Sequence, residues 1–266
     1  MSKSTLIKGL SLKVGPLGEN DRLLTFLSDK EGISRFAVPG ARRPRSSLAA
    51  AAPLNLLELE IVGRSGLKRV RQMRVLQSFS KVGENLEVLA AAQSLTELTL
   101  LLVPANDPIP GILSTILLHL DRLQKPEKDE PSNAIKTLAK SVQAYVHILA
   151  LGGYGLPIQN CCITGEHLNP PIGEWDWRCT FMPGEGLAIG SFPNMGIELN
   201  PSELALLQRL TRPNLPIKRD GELMGPIEVW LKLLKLIELW IENNLSNKIR
   251  SISMLQEVLI TSEDRR

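Results

Sequence analysis

Leu57-Glu58-Leu59-Glu60-Ile61 alternates large aliphatic residues with glutamate. A period of two is the signature of a strand with one buried face and one wet face, because successive side chains point to opposite sides of a sheet. Upstream of it lie runs of the same kind, Leu6 to Val14, Arg22 to Leu27 and Ile33 to Val38, and downstream Leu67 to Leu76. The run that contains the opening pentad extends from Leu54 to Val62. Gly-Pro-Leu-Gly at 15–18 and Glu-Gly at 31–32 read as tight connections, and Ser65-Gly66 suits a two-residue hairpin before the last run. Five short strands in one stretch, with a long connection between the third and fourth, predict a small barrel of the OB-fold type. Ser46 to Ala52 within that connection is expected to form a short helix that plugs one end.

That connection is also the most basic part of the chain. Pro39 to Leu48 reads Pro-Gly-Ala-Arg-Arg-Pro-Arg-Ser-Ser-Leu. Between Arg35 and Arg74 there are nine cations against Glu58 and Glu60, a local net charge of +7 in a chain whose total is only +3, so the remainder carries −4. Eight of those nine are arginines, whose planar guanidinium grips phosphate with two parallel hydrogen bonds and stacks on bases. The cluster points to nucleic acid as its partner. The competing class is an interaction scaffold whose basic loop docks an acidic protein without touching DNA. Strict alternation along the last strand sets Lys68 and Arg74 on the face opposite Arg69 and Arg71, so that strand is not expected to offer all four to one ligand.

Past Gly83 the period lengthens. Asn85 to Val103, Pro110 to Leu123 and Asn133 to Leu151 carry apolar residues at helical spacing, with Lys125 to Ser132 as a linker. Tyr154 to Asn200 holds twelve prolines and glycines and predicts an irregular, loop-rich module. Asn200-Pro201-Ser202-Glu203 reads as a helix start with Asn200 as the N-cap. Pro226 to Asn244 is a helix with a wide apolar face that includes Trp230 and Trp240. The fold class expected is α+β, a barrel domain over 1–80 followed by a helical domain over 81–266 that contains the module at 154–200.

No catalytic constellation stands out. His119, His147 and His167 are scattered, no phosphate-cradle motif occurs, and 4% aromatic content leaves little for a protein that grips bases by ring stacking alone. The chain reads as a non-enzyme. Three cysteines do not make an even disulfide framework, and the N-terminus has no apolar signal segment, which together predict a cytoplasmic protein with no membrane association. Zinc sites with four thiolates take them from two Cys-x-x-Cys pairs. Here Thr164 stands three residues after Cys161 and Met182 three after Cys179. A set of Cys161, Cys162, His167 and Cys179 is the remaining metal option, and adjacent cysteines chelate one ion poorly.

The succession Gly-Glu-Asn-Asp-Arg-Leu-Leu-Thr-Phe-Leu at 18–27, Gly32, Gly-Ala-Arg-Arg-Pro-Arg-Ser-Ser-Leu at 40–48, Pro53-Leu54, Leu57 to Glu60 and Tyr-Gly-Leu-Pro at 154–157 resembles the bacterial RecO family. The resemblance implies an N-terminal OB-fold, a helical domain and an inserted zinc-type module. It further implies a recombination mediator that binds single- and double-stranded DNA and anneals complementary strands without ATP. The partners it implies are RecR, the acidic C-terminal tail of single-strand binding protein (SSB) and, indirectly, RecA, at the nucleoid.

Carried onto this chain, the family's basic barrel surface falls on Arg22, Arg35, Arg42, Arg43, Arg45, Lys68, Arg69, Arg71 and Arg74. Its zinc positions fall on Cys161, Thr164, Cys179 and Met182, a degenerate set from which metal is expected to be lost, with packing around Trp175 and Trp177 holding the module instead. The apolar-tipped SSB tail is expected near Trp230 and Trp240, with Lys232 and Lys235 as cations.

Overall fold

The structure is a computed structural model that describes residues 4–63, 66–125 and 133–263. The chain divides into two compact units, residues 1–92 with 96–125, and residues 93–95 with 126–266.

The first unit begins with five strands, β1 (Thr5–Leu17), β2 (Asp21–Ser28), β3 (Gly32–Val38), β4 (Asn55–Val62) and β5 (Arg69–Ser78). They close into a barrel in the order β1-β2-β3-β5-β4, an OB-like connectivity. β1 is long enough to serve both edges of the closure. Its residues Thr5 to Leu10 pair with β4 and Leu10 to Leu17 with β2, with a register shift between Ser11 and Lys13. Gly9 lies at the crossing, where a Cβ would sit 2.0 Å from the Leu27 carbonyl oxygen, so no larger residue fits without moving backbone.

The alternation of β4 does what its sequence predicts. Leu57, Leu59 and Ile61 join Ile7, Leu24, Phe26, Phe36 and Val70 in the barrel core, while Glu58 and Glu60 face outward. Phe26 and Phe36 meet edge-on, with ring centroids 5.9 Å apart. Fully burying one such ring stabilises by about 1.5–3 kcal/mol.

Ser46 to Ala52 is not a helix. It is a chain of turns, with Ala49 N–H donating to the Ser46 carbonyl at 3.1 Å and Ala51 N–H to Leu48 at 3.1 Å. It still fills the barrel, because Leu48 and Ala51 are part of its core. Seven residues that must set two side chains inward do not need a regular helix. The expected Ser65-Gly66 hairpin lies partly outside the described residues; the ladder ends at Val62 opposite Arg69. After β5 come a 3-10 turn (Ser80–Glu84), α1 (Leu86–Leu102) and α2 (Ile112–Gln124). Asn85 caps α1 by accepting the Val88 N–H at 3.1 Å.

The second unit holds α3 (Asn133–Leu151), β6 (Cys179–Met182), β7 (Gly186–Ile189), β8 (Ile197–Leu199), α4 (Pro201–Arg209), α5 (Ile227–Leu245) and α6 (Arg250–Glu263). α3 packs on α5. The stretch expected to be wholly irregular contains a three-stranded antiparallel sheet in the order β7-β6-β8. Strands of three or four residues are too short to show an alternation against a background of proline and glycine, and the pairing partners are supplied from farther along the chain. α4 begins as its sequence predicts, with a full capping box. Asn200 Oδ1 accepts the Glu203 N–H at 2.9 Å and Glu203 Oε2 accepts the Asn200 N–H at 2.9 Å. No helix among the described residues is long and apolar enough to cross a membrane.

Candidate nucleic-acid interface

The basic loop is tied down at its base and open at its tip. Asp21 accepts the Gly40 N–H at 2.8 Å, and the Arg42 N–H donates to the Asn20 carbonyl at 2.9 Å. The Arg42 guanidinium also reaches the Gly18 carbonyl at 3.2 Å. Arg22 donates to the carbonyls of Ala51 at 2.6 Å and Ala49 at 3.3 Å, so it holds the plug segment in place from beneath. Two of the nine predicted cations are therefore partly occupied with the fold. Arg43 and Arg45 are exposed and make no ion pair among the described residues. Arg45 holds a φ of 58°, in the left-handed region that costs a residue with a Cβ about 1 kcal/mol.

β5 carries the interface away from the loop, and its register differs from the simple alternation. Val70 pairs with Ile61, but Gln72 pairs with Glu60, so Arg71 is an extra residue in the ladder. Such a bulge resets which residues point outward beyond it. Val70 is buried and Met73 faces the barrel interior beside Leu59, while Arg69, Arg71, Gln72 and Arg74 are all exposed. The expectation that Arg74 turns away from Arg69 and Arg71 is thus overturned by one inserted residue.

Arg69 also pairs with Ala37 on β3, and Arg35, two residues earlier on the same outer face, is exposed. Side chains two residues apart on a strand are about 6.6 Å apart, roughly the spacing at which neighbouring cations meet neighbouring phosphates. Arg35, Arg69 and Arg74 make no ion pair among the described residues. Lys68 is held by Glu31 at 3.5 Å and Arg71 by Glu60 at 3.4 Å.

The tryptophans of α5 do not lie at a surface. Trp230 is fully buried and donates its indole N–H to the Met224 carbonyl at 3.0 Å; Trp240 is 7% exposed and donates to Tyr154 at 2.7 Å. Both indoles are core. Lys232 pairs with Glu203 at 2.7 Å and Lys235 with Glu238 at 2.8 Å, so neither ammonium is a free rim charge. The wide apolar stripe of α5 is covered by its own unit.

What remains open is a groove of about 680 Å³, lined by Trp175, Leu206, Arg209, Met224, Pro226 and Val229 among others. Trp175 is 83% exposed, so it does not hold the module together as expected. That task falls to buried residues such as Leu168, Phe181 and Leu187, with Phe181 meeting the Trp240 ring at 6.0 Å.

Residues 1–79 match the family described as "Recombination protein O N terminal", and residues 83–252 match "Recombination protein O C terminal". The chain belongs to the RecO family. Three similar chains carry the name DNA repair protein RecO. The one from Prochlorococcus marinus (strain MIT 9303) is 62% identical over 266 residues, covering 100% of both chains. The one from Synechococcus sp. (strain WH7803) is 57% identical over 259 residues, covering 97% of this chain and 96% of that one. The one from Cyanothece sp. (strain PCC 7425) is 28% identical over 287 residues, covering 96% of each.

In this RecO chain the first of the two cysteine segments is a tight turn. The turn 161–165 closes with the Gly165 N–H on the Cys161 carbonyl at 2.9 Å and the Thr164 N–H on Cys161 Sγ at 3.5 Å. Residues 179–182, by contrast, are a regular strand, in which positions three apart face opposite sides. Met182 therefore does not converge with Cys179 towards a common ion, and the degenerate set of Cys161, Thr164, Cys179 and Met182 is not a geometric site. The segment that meets Cys161 is the end of β7, where the Ile189 N–H donates to Cys161 Sγ at 3.4 Å. The sequence held no thiol at Ile189 to draw attention there.

Cys162 is exposed and His167 pairs with Asn160 at 3.2 Å, so the alternative set does not converge either. Among the described residues no group of three or more His, Cys, Asp or Glu side chains is placed to hold a metal ion. Burial pushes the Cys161 thiol up, but hydrogen bonds from Thr164, Ile189 and Ile163 outweigh it and bring the group down to about 7. Burial, reinforced by the charges of Glu203 and Cys161, pushes Cys179 up to about 12.

Proposed function

We propose that this protein is a recombination mediator that binds single- and double-stranded DNA through its barrel and anneals complementary strands without ATP. The observation that carries this reading is the set of exposed arginines that make no ion pair among the described residues, Arg43 and Arg45 on the loop, Arg35 on β3, and Arg69 and Arg74 on β5. Arginines that neutralise phosphates on two strands lower the strands' mutual repulsion, so complementary bases can meet. No covalent bond is made or broken. In this reading residues 1–80 act as the DNA-binding domain, 81–266 as the partner domain, and the module at 154–200 works without metal. The protein acts in the cytoplasm at the nucleoid and, with RecR, helps load RecA onto SSB-coated DNA.

The SSB tail, acidic with an apolar tip, is best served by the groove beside Trp175. Leu206, Val229 and Pro226 supply apolar walls there, and Arg209 supplies a cation that donates to the Met224 thioether and makes no ion pair among the described residues. Glu203, which also lines the groove, is already neutralised by Lys232.

Strand annealing without ATP, measured at several salt concentrations with and without SSB, tests the proposal. Because binding works through counterion release, affinity is expected to fall about tenfold or more between low and physiological salt. A flat salt response, or annealing no faster than the spontaneous rate, rejects it.

A further inference from the structure

The outward side of β4, next to the exposed arginines of β5, carries two carboxylates, Glu58 and Glu60, and the register fixes what each one faces. β4 lies between β5 and β1. Across it, Glu58 pairs with Arg74 on one side and Lys8 on the other, while Glu60 pairs with Gln72 and Leu6. Glu60 also reaches over to Arg71, the bulged residue, at 3.4 Å. On the far side of β4, Lys8 and Lys30 share a groove with Glu58 and Asp29, so the positive charge there is matched.

We propose that Glu58 and Glu60 form a carboxylate fence along β4 that confines a bound phosphate backbone to the β3–β5 side of the barrel and holds Arg71 away from it. This rests on the DNA-binding reading above and adds a limit to it.

Strand spacing sets the scale. Adjacent strands are about 4.8 Å apart, so a phosphate seated on Arg74 lies one strand from Glu58, well inside the screening length of about 8 Å at physiological salt. Moving the backbone over β4 brings it directly onto two carboxylates, and Lys8, one strand beyond Glu58, shares its groove with Glu58 and Asp29 and is already matched there. The phosphate path is therefore a line that runs from the loop tip past Arg69 and Arg35 and down β5. Arg71 contributes only when Glu60 releases it. A fence of this kind lowers affinity, and a protein that must let go of annealed strands gains faster release from it.

The experiment compares wild type with Glu60→Gln, the Glu58→Gln/Glu60→Gln pair, and Glu185→Gln, an exposed carboxylate of the other unit that controls for overall charge. Binding of a fluorescent single-stranded oligonucleotide is measured over a range of salt, with circular dichroism confirming the fold of each variant. The double variant is expected to bind about fivefold tighter at low salt, on the scale of exposed charge pairs, and its salt slope to steepen by about one contact as Arg71 joins. In an Arg71→Gln background the gain from Glu60→Gln is expected to shrink. Wild-type binding with unchanged or weaker binding by the double variant overturns the fence alone. An equal gain from Glu185→Gln also overturns it, since net charge would then explain the effect. No binding by wild type at low salt rejects the DNA-binding reading, and the fence with it.

Discussion

β5 and α5 are both rich in cations beside apolar residues, yet the fold treats them in opposite ways. On β5 the side chains of Arg69 and Arg74 are exposed and make no ion pair among the described residues, whereas on α5 Lys232 and Lys235 are each closed onto a glutamate and Trp230 is inside the core. The difference lies in the local supply of carboxylates. From Arg35 to Arg74 the stretch holds two glutamates against nine cations, so most of its positive charge is not matched within the stretch. Around α5 the chain provides Glu203, Glu238 and Glu242, and the ammonium groups are consumed. Unmatched charge, more than charge itself, is what separates the two regions.

The largest effect is expected from Trp230→Ala. Truncating a fully buried indole is expected to cost about 3–5 kcal/mol, read as a lowered denaturation midpoint with DNA affinity of the surviving folded protein unchanged. If Trp230→Ala unfolds outright, Trp230→Phe, with a smaller loss, keeps the measurement available. The mirror experiment replaces Arg43, Arg45 and Arg69 together by Ala. About 10- to 100-fold weaker DNA binding at low salt is expected, with a shallower salt slope and an unchanged melting temperature. A stability loss here, or binding that stays the same, erases the distinction between the two regions.

Lys232→Ala tests the consumed cations. It leaves the buried Glu203 carboxylate without its cation, held only by the Asn200 N–H of the capping box, and is expected to destabilise by about 1–2 kcal/mol while DNA binding is untouched.

A smaller effect belongs to Cys161. Its folded pKa of about 7 lies below the ordinary thiol value of 9.0, so the thiolate is favoured in the native state. The stability it contributes is present above the unfolded pKa and is lost as pH falls through about 7. Wild type minus Cys161→Ser stability should therefore rise between pH 7 and 9, and a flat difference would mean that the N–H groups around Sγ do not select the thiolate. Smallest of all is Arg45→Gly. Glycine accepts the left-handed backbone at no steric cost, so melting is expected to stay the same or improve slightly while DNA binding weakens about two- to threefold.

The strands of the barrel were legible because each is long enough to show its alternation, and the start of α4 was legible because a capping box is local, spanning only Asn200 to Glu203. The core plug was half legible. Ser46 to Ala52 was expected to plug one barrel end as a short helix, but turns rather than a helix bring Leu48 and Ala51 into the core. β6, β7 and β8 were hidden by their brevity, and α6 was not anticipated at all. For the cysteines, a spacing rule placed Met182 beside Cys179, and the strand geometry of β6 separates them.

From its residues alone this chain declares a concentration of arginine on a barrel, a reducing-type set of cysteines without a complete knuckle, and membership of a family through an ordered succession of short motifs. These are properties of composition and of neighbours in the chain. Only the tertiary structure decided that Arg74 joins Arg69 on one face, that Trp230 and Trp240 are core, and that Ile189 is what meets Cys161. Each of those depends on how segments far apart in sequence pair and pack, and a single bulged residue or a covering helix reverses the answer without leaving a local sign.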